Sequence, residues 1–486
     1  MKNTNIKRTL ALIAALSLTA SLAACNDDGG STTGGGAAGG AAGGGATEST
    51  TAATEPKELN EEDKAAIAEI EVEGAEKLEN SKVRWLATYD INPEKGKPKM
   101  PSLELFENTY GGEIEWIPTE YDDRYNKLST LIVGGDSPDL FAAGEYDTFP
   151  SRAVDGMFQA WDDYLDFNDS ELWANAQGEK KLSDMHTLGG KHYVAVVYSY
   201  ADCVMIYNQN TIDENGLDDP WELLNENNWT WDTFRQMCND YCSREDDKFA
   251  YDGWWFETGF ALTTGVPPIG MENGLLKNNL TTPAVERAQN FMYELKKDDM
   301  PLPKAEFDWT EQRHRIASGN TLFYPIGTWA LWEEDLSNWG KQGEIKFVPL
   351  PRDPDADAYY LPAKIEGYTL CKGAQNPEGA AAYMKSVLIA GNNEAAKAIT
   401  EKQYREDYGW TDEMFEMMYK ADELTNANPM ISFHKGLASD VANAVDDGIK
   451  QASFSGADWS ATREGMNGMT DIAVEEVNAK ITADFS

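Results

Sequence analysis

The feature that most constrains the fold is a strand–helix alternation near the start of the ordered chain. Residues 83–87, 114–118 and 140–143 carry apolar or alternating side chains typical of strands. Between them, apolar side chains recur at helical spacing, and glycine pairs at 111–112 and 134–135 end the two helices. This order predicts an α/β fold whose strands pair in parallel through right-handed crossovers.

The carboxyl ends of these strands are where a ligand is expected. In open parallel sheets, ligands bind in the crevice beyond the carboxyl ends of the strands. That rule selects the loop containing Asp90, the loop 144–147 and the loop after a further predicted strand, 193–197. Asp90 is therefore a candidate ligand-binding residue.

The N-terminus reads as a secretory signal. Lys2, Lys7 and Arg8 precede an uncharged apolar run, 9–24, that is too short to remain as a membrane-spanning helix. Leu22-Ala23-Ala24-Cys25 resembles the lipobox of bacterial lipoproteins, in which the cysteine is lipidated, carries acyl chains such as palmitate and becomes the new N-terminus. The alternative is an ordinary signal with a chance cysteine nearby.

Residues 26–56 have the composition of a flexible linker. They contain Gly, Ala, Thr, Ser and Asp but no aromatic or large aliphatic side chain, so they cannot bury enough apolar area to order themselves. A Gly-rich coil of this length spans roughly 30 Å. With residues 57–80, which read as an acidic helix, the segment 25–80 would tether a folded body to a membrane through its lipid.

The charge of the chain excludes one class of partner. The formal net charge is −42, and removal of the signal peptide takes away three positive charges. Such a field argues against nucleic acid as a partner and favours a monomer kept apart by self-repulsion. No later apolar run is long enough to cross a membrane.

Cysteine and acidic residues give no metal or cofactor motif. Cys238 and Cys242 lie at helical spacing, and buried thiols are favoured over a disulfide or a metal site for them and for Cys203 and Cys371, whose disulfide state the sequence leaves open. The segment starting at Asp353 begins like a calcium loop but lacks the glycine and the final glutamate. We expect no cofactor and no metal.

Several short segments, taken in order, resemble one family. They resemble extracellular solute-binding protein family 1, the maltose-binding-protein-like receptors of ABC importers, over roughly residues 81–400. The segments are Phe106–Gly112, Tyr121–Leu128, Gly134–Phe141, Met205–Asn208, Trp229–Phe234, Ala317–Asn320, Gly327–Ala330, Phe347–Pro351 and Asn376–Ala381.

The resemblance implies a two-lobed, periplasmic-binding-protein-like α/β fold with a ligand cleft between the lobes and a hinge that the chain crosses three times. Residues 1–24 form the signal peptide, 81–200 with 368–405 the N-terminal lobe, and 201–367 with 406–486 the C-terminal lobe. The implied function is capture of a sugar or oligosaccharide and its delivery to the permease subunits of an ABC transporter, without enzymatic activity, at the extracytoplasmic face of the cell membrane.

Candidate sugar contacts follow from sugar chemistry and from the resemblance. A sugar offers apolar C–H faces to aromatic rings and hydroxyls to carboxylates and amides. Trp329 matches the stacking position of the family, and of the adjacent Trp254 and Trp255 one is expected in the core and one at the cleft. The polar and hinge candidates that the resemblance implies are Glu145, Tyr146, Asp147, Asp202, Glu366 and Tyr368; Trp161 is interpreted as structural.

Two other functions remain open from the sequence. An exported glycoside hydrolase needs two suitably spaced carboxylates, and 83 acidic residues allow any pairing. A polysaccharide-binding surface lipoprotein without a transport role would share the anchor and the aromatic residues. Neither the sugar, its linkage nor its chain length can be derived from the sequence.

Overall fold

The computed structural model describes residues 58–93, 97–242, 247–333, 339–341 and 343–485. The predicted signal peptide, Cys25 and the linker 26–56 lie outside these residues. The described strands are β1 Lys82–Ala87, β2 Glu113–Pro118, β3 Leu140–Ala142, β4 Phe158–Gln159, β5 Thr187–Leu188, β6 Lys191–His192, β7 Ala195–Ala201, β8 Cys203–Asn208, β9 Phe249–Tyr251, β10 Ile269–Glu272, β11 Leu275–Asn278, β12 Thr321–Gly327, β13 Ile345–Pro349, β14 Leu361–Cys371 and β15 Pro429–Met430.

The helices separate these strands and cover the sheets. They are α1 Glu61–Ala68, α2 Pro101–Tyr110, α3 Arg124–Val133, α4 Ser151–Val154, α5 Gln177–Met185, α6 Gln209–Asn215, α7 Pro220–Asn225, α8 Trp231–Cys242, α9 Phe256–Phe260, α10 Pro283–Lys297, α11 His314–Ala317, α12 Ala330–Glu333, α13 Pro377–Asn392, α14 Glu394–Tyr408, α15 Asp412–Ala427, α16 Ser439–Phe454 and α17 Trp459–Asp484.

The predicted alternation is present at the start of the body. Strand β1 pairs in parallel with β2 and with β3, so that Trp85 lies opposite both Trp116 and Leu140. Helix α2 has a proline at its first turn and ends at Gly111, whose φ of 67° is the left-handed conformation that glycine adopts without strain. The parallel α/β arrangement predicted from the sequence is therefore confirmed.

Two sheets form the frame of the molecule. In the first sheet the strands follow the order β15-β14-β3-β1-β2, with β4 and β7 also paired to β14; in the second the order is β13-β8-β12-β9. The chain passes from the first sheet to the second at Asp202, between β7 and β8, and returns between β13 and β14. Helix α15 then packs against β7 of the first sheet and β13 of the second.

The passage at Asp202 is tied to the returning strand and to β12. The backbone N–H of Asp202 donates to the carbonyl oxygen of Pro362 (2.9 Å), and the N–H of Thr328 donates to the carbonyl oxygen of Asp202 (3.1 Å). Backbone groups from three distant parts of the chain thus meet at this point, which fixes the position of Asp202 between the two sheets.

Each sheet has its own apolar core. Trp85, Phe106 and Trp161 are fully buried beside the first sheet, and Trp161 donates its indole N–H to the carbonyl oxygen of Tyr368 (3.0 Å). Trp229 and Phe323 are equally buried beside the second sheet. The structural role predicted for Trp161 is confirmed, and the separate cores give two lobes.

The acidic helix before the body packs onto it. Helix α1 begins at Glu61, capped by the side chain of Asn60, and Leu59 and Ile67 are buried against Leu105 and Ile399. The segment 57–80, predicted as an acidic helix, thus contains a helix, α1, that packs on the body.

The described cysteines and the acidic loop that begins at Asp353 both have defined surroundings. The four cysteines among them are unpaired; Cys203, Cys238 and Cys371 are buried, and Cys242 is partly buried. Burial raises the pKa of Cys242 to about 11. Asp353 is fully buried and forms an ion pair with Arg287, so the acidic loop is held by a cation of the protein itself.

Candidate functional site

Two tryptophans that the sequence singles out lie against each other in the second lobe. The ring centroids of Trp255 and Trp329 are 5.9 Å apart, with an angle of 62° between the planes. Trp329 lies between β12 and α12, at the strand-to-helix turn expected from the sequence, and Trp255 precedes α9. Gly327 permits this approach, because a Cβ there would lie 2.3 Å from Nε1 of Trp329.

Trp254 faces away from this pair. Its ring packs against Trp309 (6.4 Å) and Phe454 (5.8 Å), and the Nζ atom of Lys304 lies 4.4 Å from its centroid. The two adjacent tryptophans thus have different surroundings, as expected for neighbours in an extended segment. The structure brings Trp255, and not Trp254, to Trp329.

A cavity of about 120 Å³ contains residues from both lobes and from the passage between them. Trp255 lines one part, Asp202 lies at the passage, and Tyr146 enters from the loop after β3. Tyr146 has a φ of 63° and donates its hydroxyl hydrogen to the carbonyl oxygen of Ala363. Three residues predicted from different parts of the chain therefore line one cavity.

A larger cavity of about 870 Å³ adjoins the first, since Lys435 and Asp446 line both. It contains the other two predicted residues of the β3 loop, Glu145 and Asp147. Asp147 accepts a hydrogen bond from the hydroxyl of Tyr125 (2.7 Å) and forms an ion pair with Arg124 of α3. The two adjoining cavities are called the cleft below.

Arg124 organises the aromatic part of the larger cavity. Its guanidinium lies 3.6 Å from the ring centroid of Tyr121 and pairs with the carboxylate of Asp147. Tyr121 remains 52% exposed, so its free face is available to a ligand in the cleft. Stacked rings beside hydrogen-bonded carboxylates are what recognition of a polyhydroxylated ring requires.

The carboxylates of the cleft differ in environment. Glu145 is exposed, and Lys364 lies 3.4 Å from it and lowers its pKa. Burial raises the pKa of Asp202, although Lys364 and Lys435 oppose the rise. Among the residues that the structure describes, none donates a hydrogen bond to the Asp202 carboxylate, which leaves both oxygens free to accept from a ligand.

Glu366 and Tyr368 form a pair on β14. The Tyr368 hydroxyl donates to Oε1 of Glu366 (2.6 Å), and burial raises the pKa of Glu366 to about 7. Tyr368 is fully buried, with its ring 5.0 Å from that of Trp85. Tyr368 thus lies in the core of the first lobe and orients Glu366, which is only partly buried.

Asp90 is not among the residues that line the two cavities of the cleft. Its Oδ1 accepts hydrogen bonds from the backbone N–H and from the side-chain Nδ2 of Asn92, both at 2.9 Å. Asn92 also donates to the carbonyl oxygen of Ile114 (3.1 Å). The carboxylate of Asp90 therefore fixes the turn after β1.

A family model described as bacterial extracellular solute-binding protein matches residues 91–394, more than half of the chain. The chain belongs to this family. The family named from the sequence motifs is thereby confirmed, and the matched range includes all the predicted contacts except Asp90.

Solved solute-binding proteins share the fold of this one. The GacH receptor of Streptomyces glaucescens, solved unliganded and with acarbose, has 12% identity and a TM-score of 0.56, covering 82% of this chain and 99% of that chain. A cyclo/maltodextrin-binding protein solved with maltotetraose has 15% identity and a TM-score of 0.57, with coverage of 82% and 98%. No curated protein sequence matches the chain.

A third neighbour is the galacto-N-biose-/lacto-N-biose I-binding protein of an ABC transporter from Bifidobacterium longum, in complex with lacto-N-biose. It has 13% identity and a TM-score of 0.55, covering 83% of this chain and 99% of that chain. At such identities the likeness shows the fold, a two-lobed α/β solute-binding protein. The predicted fold class is confirmed.

Three residues at the cleft of this solute-binding protein were missed by the sequence analysis: Lys435 and His434 line it, and Lys364 lies beside Glu145. The positive charges of Lys364 and Lys435 lower the pKa of Glu145 and oppose the rise in the pKa of Asp202. His434 is buried, lines the small cavity, and has its Nδ1 atom 2.9 Å from Oγ of Ser432. The alternation of side chains along β14 places Lys364 and Glu366 on one face, which is the signal that could have identified the lysine.

Neither a metal-ion cluster nor a membrane-spanning helix is found among the residues that the structure describes. Within the described ranges, no group of three or more His, Cys, Asp or Glu side chains is arranged to hold a metal ion. Among the same residues, no helix is both long and apolar enough to cross a membrane.

Proposed function

We propose that this solute-binding protein captures a sugar or oligosaccharide in the cleft for an ABC importer. The observation that carries the proposal is the Trp255–Trp329 corner beside the cavity lined by Tyr146 and Asp202. Aromatic faces stack on the C–H faces of a sugar, while carboxylates that lack protein partners accept its hydroxyls.

Three structural neighbours support the substrate class. They were solved with acarbose, maltotetraose and lacto-N-biose, and the protein that binds lacto-N-biose belongs to an ABC transporter. A cleft with cavities of about 870 and 120 Å³ has room for more than one ring. An oligosaccharide is therefore the favoured substrate.

Binding would work by closing the lobes. A ligand that contacts Tyr146 on one side and Trp255 on the other makes both sets of contacts fully only in the closed state. Its differential affinity for that state shifts the population toward closure. No bond is made or broken in this mechanism, and the closed form is what the permease subunits would recognise.

We also propose a lipid anchor for the protein and limits for its two lobes. Lipidation at Cys25 would anchor a monomer to the extracytoplasmic face of the cell membrane, with permease subunits as partners and no nucleic acid. The lobes would comprise 81–200 with 368–405, and 201–367 with 406–486. In cells, replacement of Cys25 by serine should release the protein from the membrane fraction and abolish labelling by a palmitate analogue; a Cys25→Ser protein that stays at the membrane would contradict the anchor.

The experiment that tests the binding function is a titration of intrinsic tryptophan fluorescence with a panel of short oligosaccharides, followed by analysis of the recovered sugar. We expect a saturable change at micromolar concentrations and an intact sugar. Products of hydrolysis would instead support a glycoside hydrolase. A response only to long polysaccharide would support a surface lipoprotein without a transport role.

A further inference from the structure

A second cavity lies in the C-terminal lobe, outside the cleft. Its volume is about 500 Å³, and it shares no lining residue with either cavity of the cleft. This volume lies within the range of roughly 300–1,000 Å³ found for small-molecule sites. The residues that matter for its chemistry are Asp252, Glu257, Lys304, Trp309, Ser453 and Phe454. We refer to it as the Trp309 cavity.

An exposed aromatic face lines the Trp309 cavity. Trp309 is 53% exposed, although its ring is held 5.9 Å from Phe454 and 6.4 Å from Trp254. Phe454 and Trp254 pack against the indole, and about half of its surface remains exposed. An open, supported indole face is the surface on which a sugar ring stacks.

The backbone that presents Trp309 is strained. Asp308 and Trp309 have φ angles of 52° and 57°, and two consecutive non-glycine residues in the left-handed region are uncommon. Strained backbone of this kind persists where the surroundings hold it in place, and it concentrates at ligand sites.

The buried carboxylate of Asp252 anchors the strained segment. Asp252 is 2% exposed and accepts hydrogen bonds from Nζ of Lys304 (2.7 Å) and from the backbone N–H of Gln312 (3.1 Å). The segment 304–312 is therefore fixed at both ends by one side chain. This anchoring keeps the indole in place without the ligand, so little ordering entropy is lost on binding.

An unpartnered polar atom lies in the wall of the same cavity. Glu257 is 1% exposed, and its Oε2 has no hydrogen-bond partner among the described residues. Burial raises the pKa of Glu257, although Lys304 and Ser453 oppose the rise, and a protonated carboxyl group can both donate and accept. An unsatisfied buried polar group is costly, and a hydroxylated ligand would satisfy it.

The charges around the cavity nearly balance, in contrast to the chain as a whole. Two lysines, Lys296 and Lys304, face three carboxyl groups, those of Asp252, Glu257 and Glu306, and Lys304 is paired with Asp252. The net charge of the whole chain is −42. A nearly neutral cavity in such a chain fits an uncharged ligand better than a strongly charged one.

We propose that the Trp309 cavity is a second carbohydrate-binding site, which takes one neutral pyranose ring with its apolar face on Trp309 and its hydroxyls toward Glu257 and Ser453. This site is independent of the cleft: the segment 253–257 separates the two, with Trp255 facing the cleft and Glu257 facing the Trp309 cavity. It would add a weak contact to glycan outside the transport cleft.

The test uses saturation-transfer-difference NMR on the mature full-length chain carrying Trp329→Ala, which weakens the cleft. The probes are the methyl glycosides of glucose, galactose and mannose at millimolar concentrations. We expect at least one glycoside to bind, Trp309→Ala to weaken that binding about five-fold, and Trp309→Phe to keep it within about two-fold, because phenylalanine retains a stacking face.

Two results would overturn the second site: no glycoside binds the Trp329→Ala protein, or binding is equal with and without Trp309→Ala. If Trp309→Ala fails to fold, iodide quenching of the folded Trp329→Ala protein decides, since a bound glycoside must shield the exposed Trp309. These outcomes leave the proposed transport function standing, which is tested separately by oligosaccharide binding to the wild-type cleft.

Discussion

The indoles of Trp255 and Trp329 meet edge to face, with centroids 5.9 Å apart, although one precedes a short helix and the other follows a strand. Both are partly buried, so each is packed on one side and open on another. The backbone of β12 and α9 fixes both rings before any ligand arrives, which lowers the entropy that binding must overcome.

Removal of one indole should weaken sugar binding strongly. We expect Trp329→Ala to reduce affinity for the cognate sugar about 10- to 100-fold, as for a buried aromatic hot spot. Trp254→Ala removes an indole of the same size one residue from Trp255 but outside the cleft, and should change the affinity less than about two-fold. Isothermal titration calorimetry measures both. Equal losses for the two variants would refute the assignment of the aromatic corner.

The glycine beneath the corner gives a second test. In Gly327→Ala, the new Cβ would lie 2.3 Å from Nε1 of Trp329 and 3.2 Å from Cε2 of Trp255, so the pair must separate. Sugar affinity should fall about 10-fold or more, because the stacking surface is displaced. Gly465→Ala is the matched control: it lies within α17 with no atom within 4 Å of the new Cβ, and should raise the free energy of unfolding by about 0.5–1 kcal/mol. Unchanged affinity in Gly327→Ala would contradict the role of the corner.

Glu366 lines neither cavity of the cleft, so its predicted contact with the sugar needs a test of its own: if the contact forms, binding should depend on the protonation of Glu366. The hydroxyl of Tyr368 occupies Oε1, and burial raises the pKa of Glu366 to about 7. The ionised form accepts a stronger hydrogen bond from a ligand hydroxyl than the protonated form. Affinity should therefore fall several-fold as the pH decreases from about 8 to about 6. Glu366→Gln, measured by calorimetry over the same range, should flatten this dependence; an unaltered profile would remove Glu366 from the site.

Asp422 should make the stability of the protein depend on pH. Burial raises its pKa from 3.8 to about 8, and the N–H of Ala201 donates to its Oδ1 (3.1 Å). Between about pH 4 and 8 the folded state holds a proton that the unfolded state releases, so the free energy of unfolding contributed by this group falls as the pH rises.

The variant Asp422→Asn keeps the acceptor for Ala201 and cannot ionise. It should be more stable than the wild type at pH 8, by on the order of 1–3 kcal/mol, with a shallower pH slope. Glu416→Gln, an exposed change on the same helix, is the control and should leave the slope as in the wild type. Urea unfolding at pH 5 and pH 8 measures both; a slope in Asp422→Asn as steep as in the wild type would disprove the assignment.

Local patterns predicted most of the first lobe correctly. The apolar runs and glycine pairs located β1, α2, β2 and β3, and their parallel pairing followed from the order of the elements. Helix α3 begins at Arg124, after a turn at residues 121–123 in which the Tyr121 ring packs against the Arg124 guanidinium. Helical periodicity does not indicate this local contact.

The site was predicted less completely than the fold, because its residues come from distant parts of the chain. Trp329 was predicted from the family resemblance, and Tyr146 from a loop after a strand end, where the resemblance and the sheet rule agree. Lys364 and Lys435 come from distant parts of the chain, and only the folded arrangement brings their charges to Asp202. The burial of Tyr368 depends on Trp85 packing across the sheet, which the sequence of β14 alone does not contain.

The most direct test of the central claim is small-angle X-ray scattering of the mature chain, with and without a saturating oligosaccharide identified by the fluorescence panel. We expect a smaller radius of gyration with sugar, because the lobes close, and recovery of the sugar intact. Trp329→Ala should require a higher sugar concentration for the same change. A radius of gyration that stays constant at saturation would contradict capture by lobe closure.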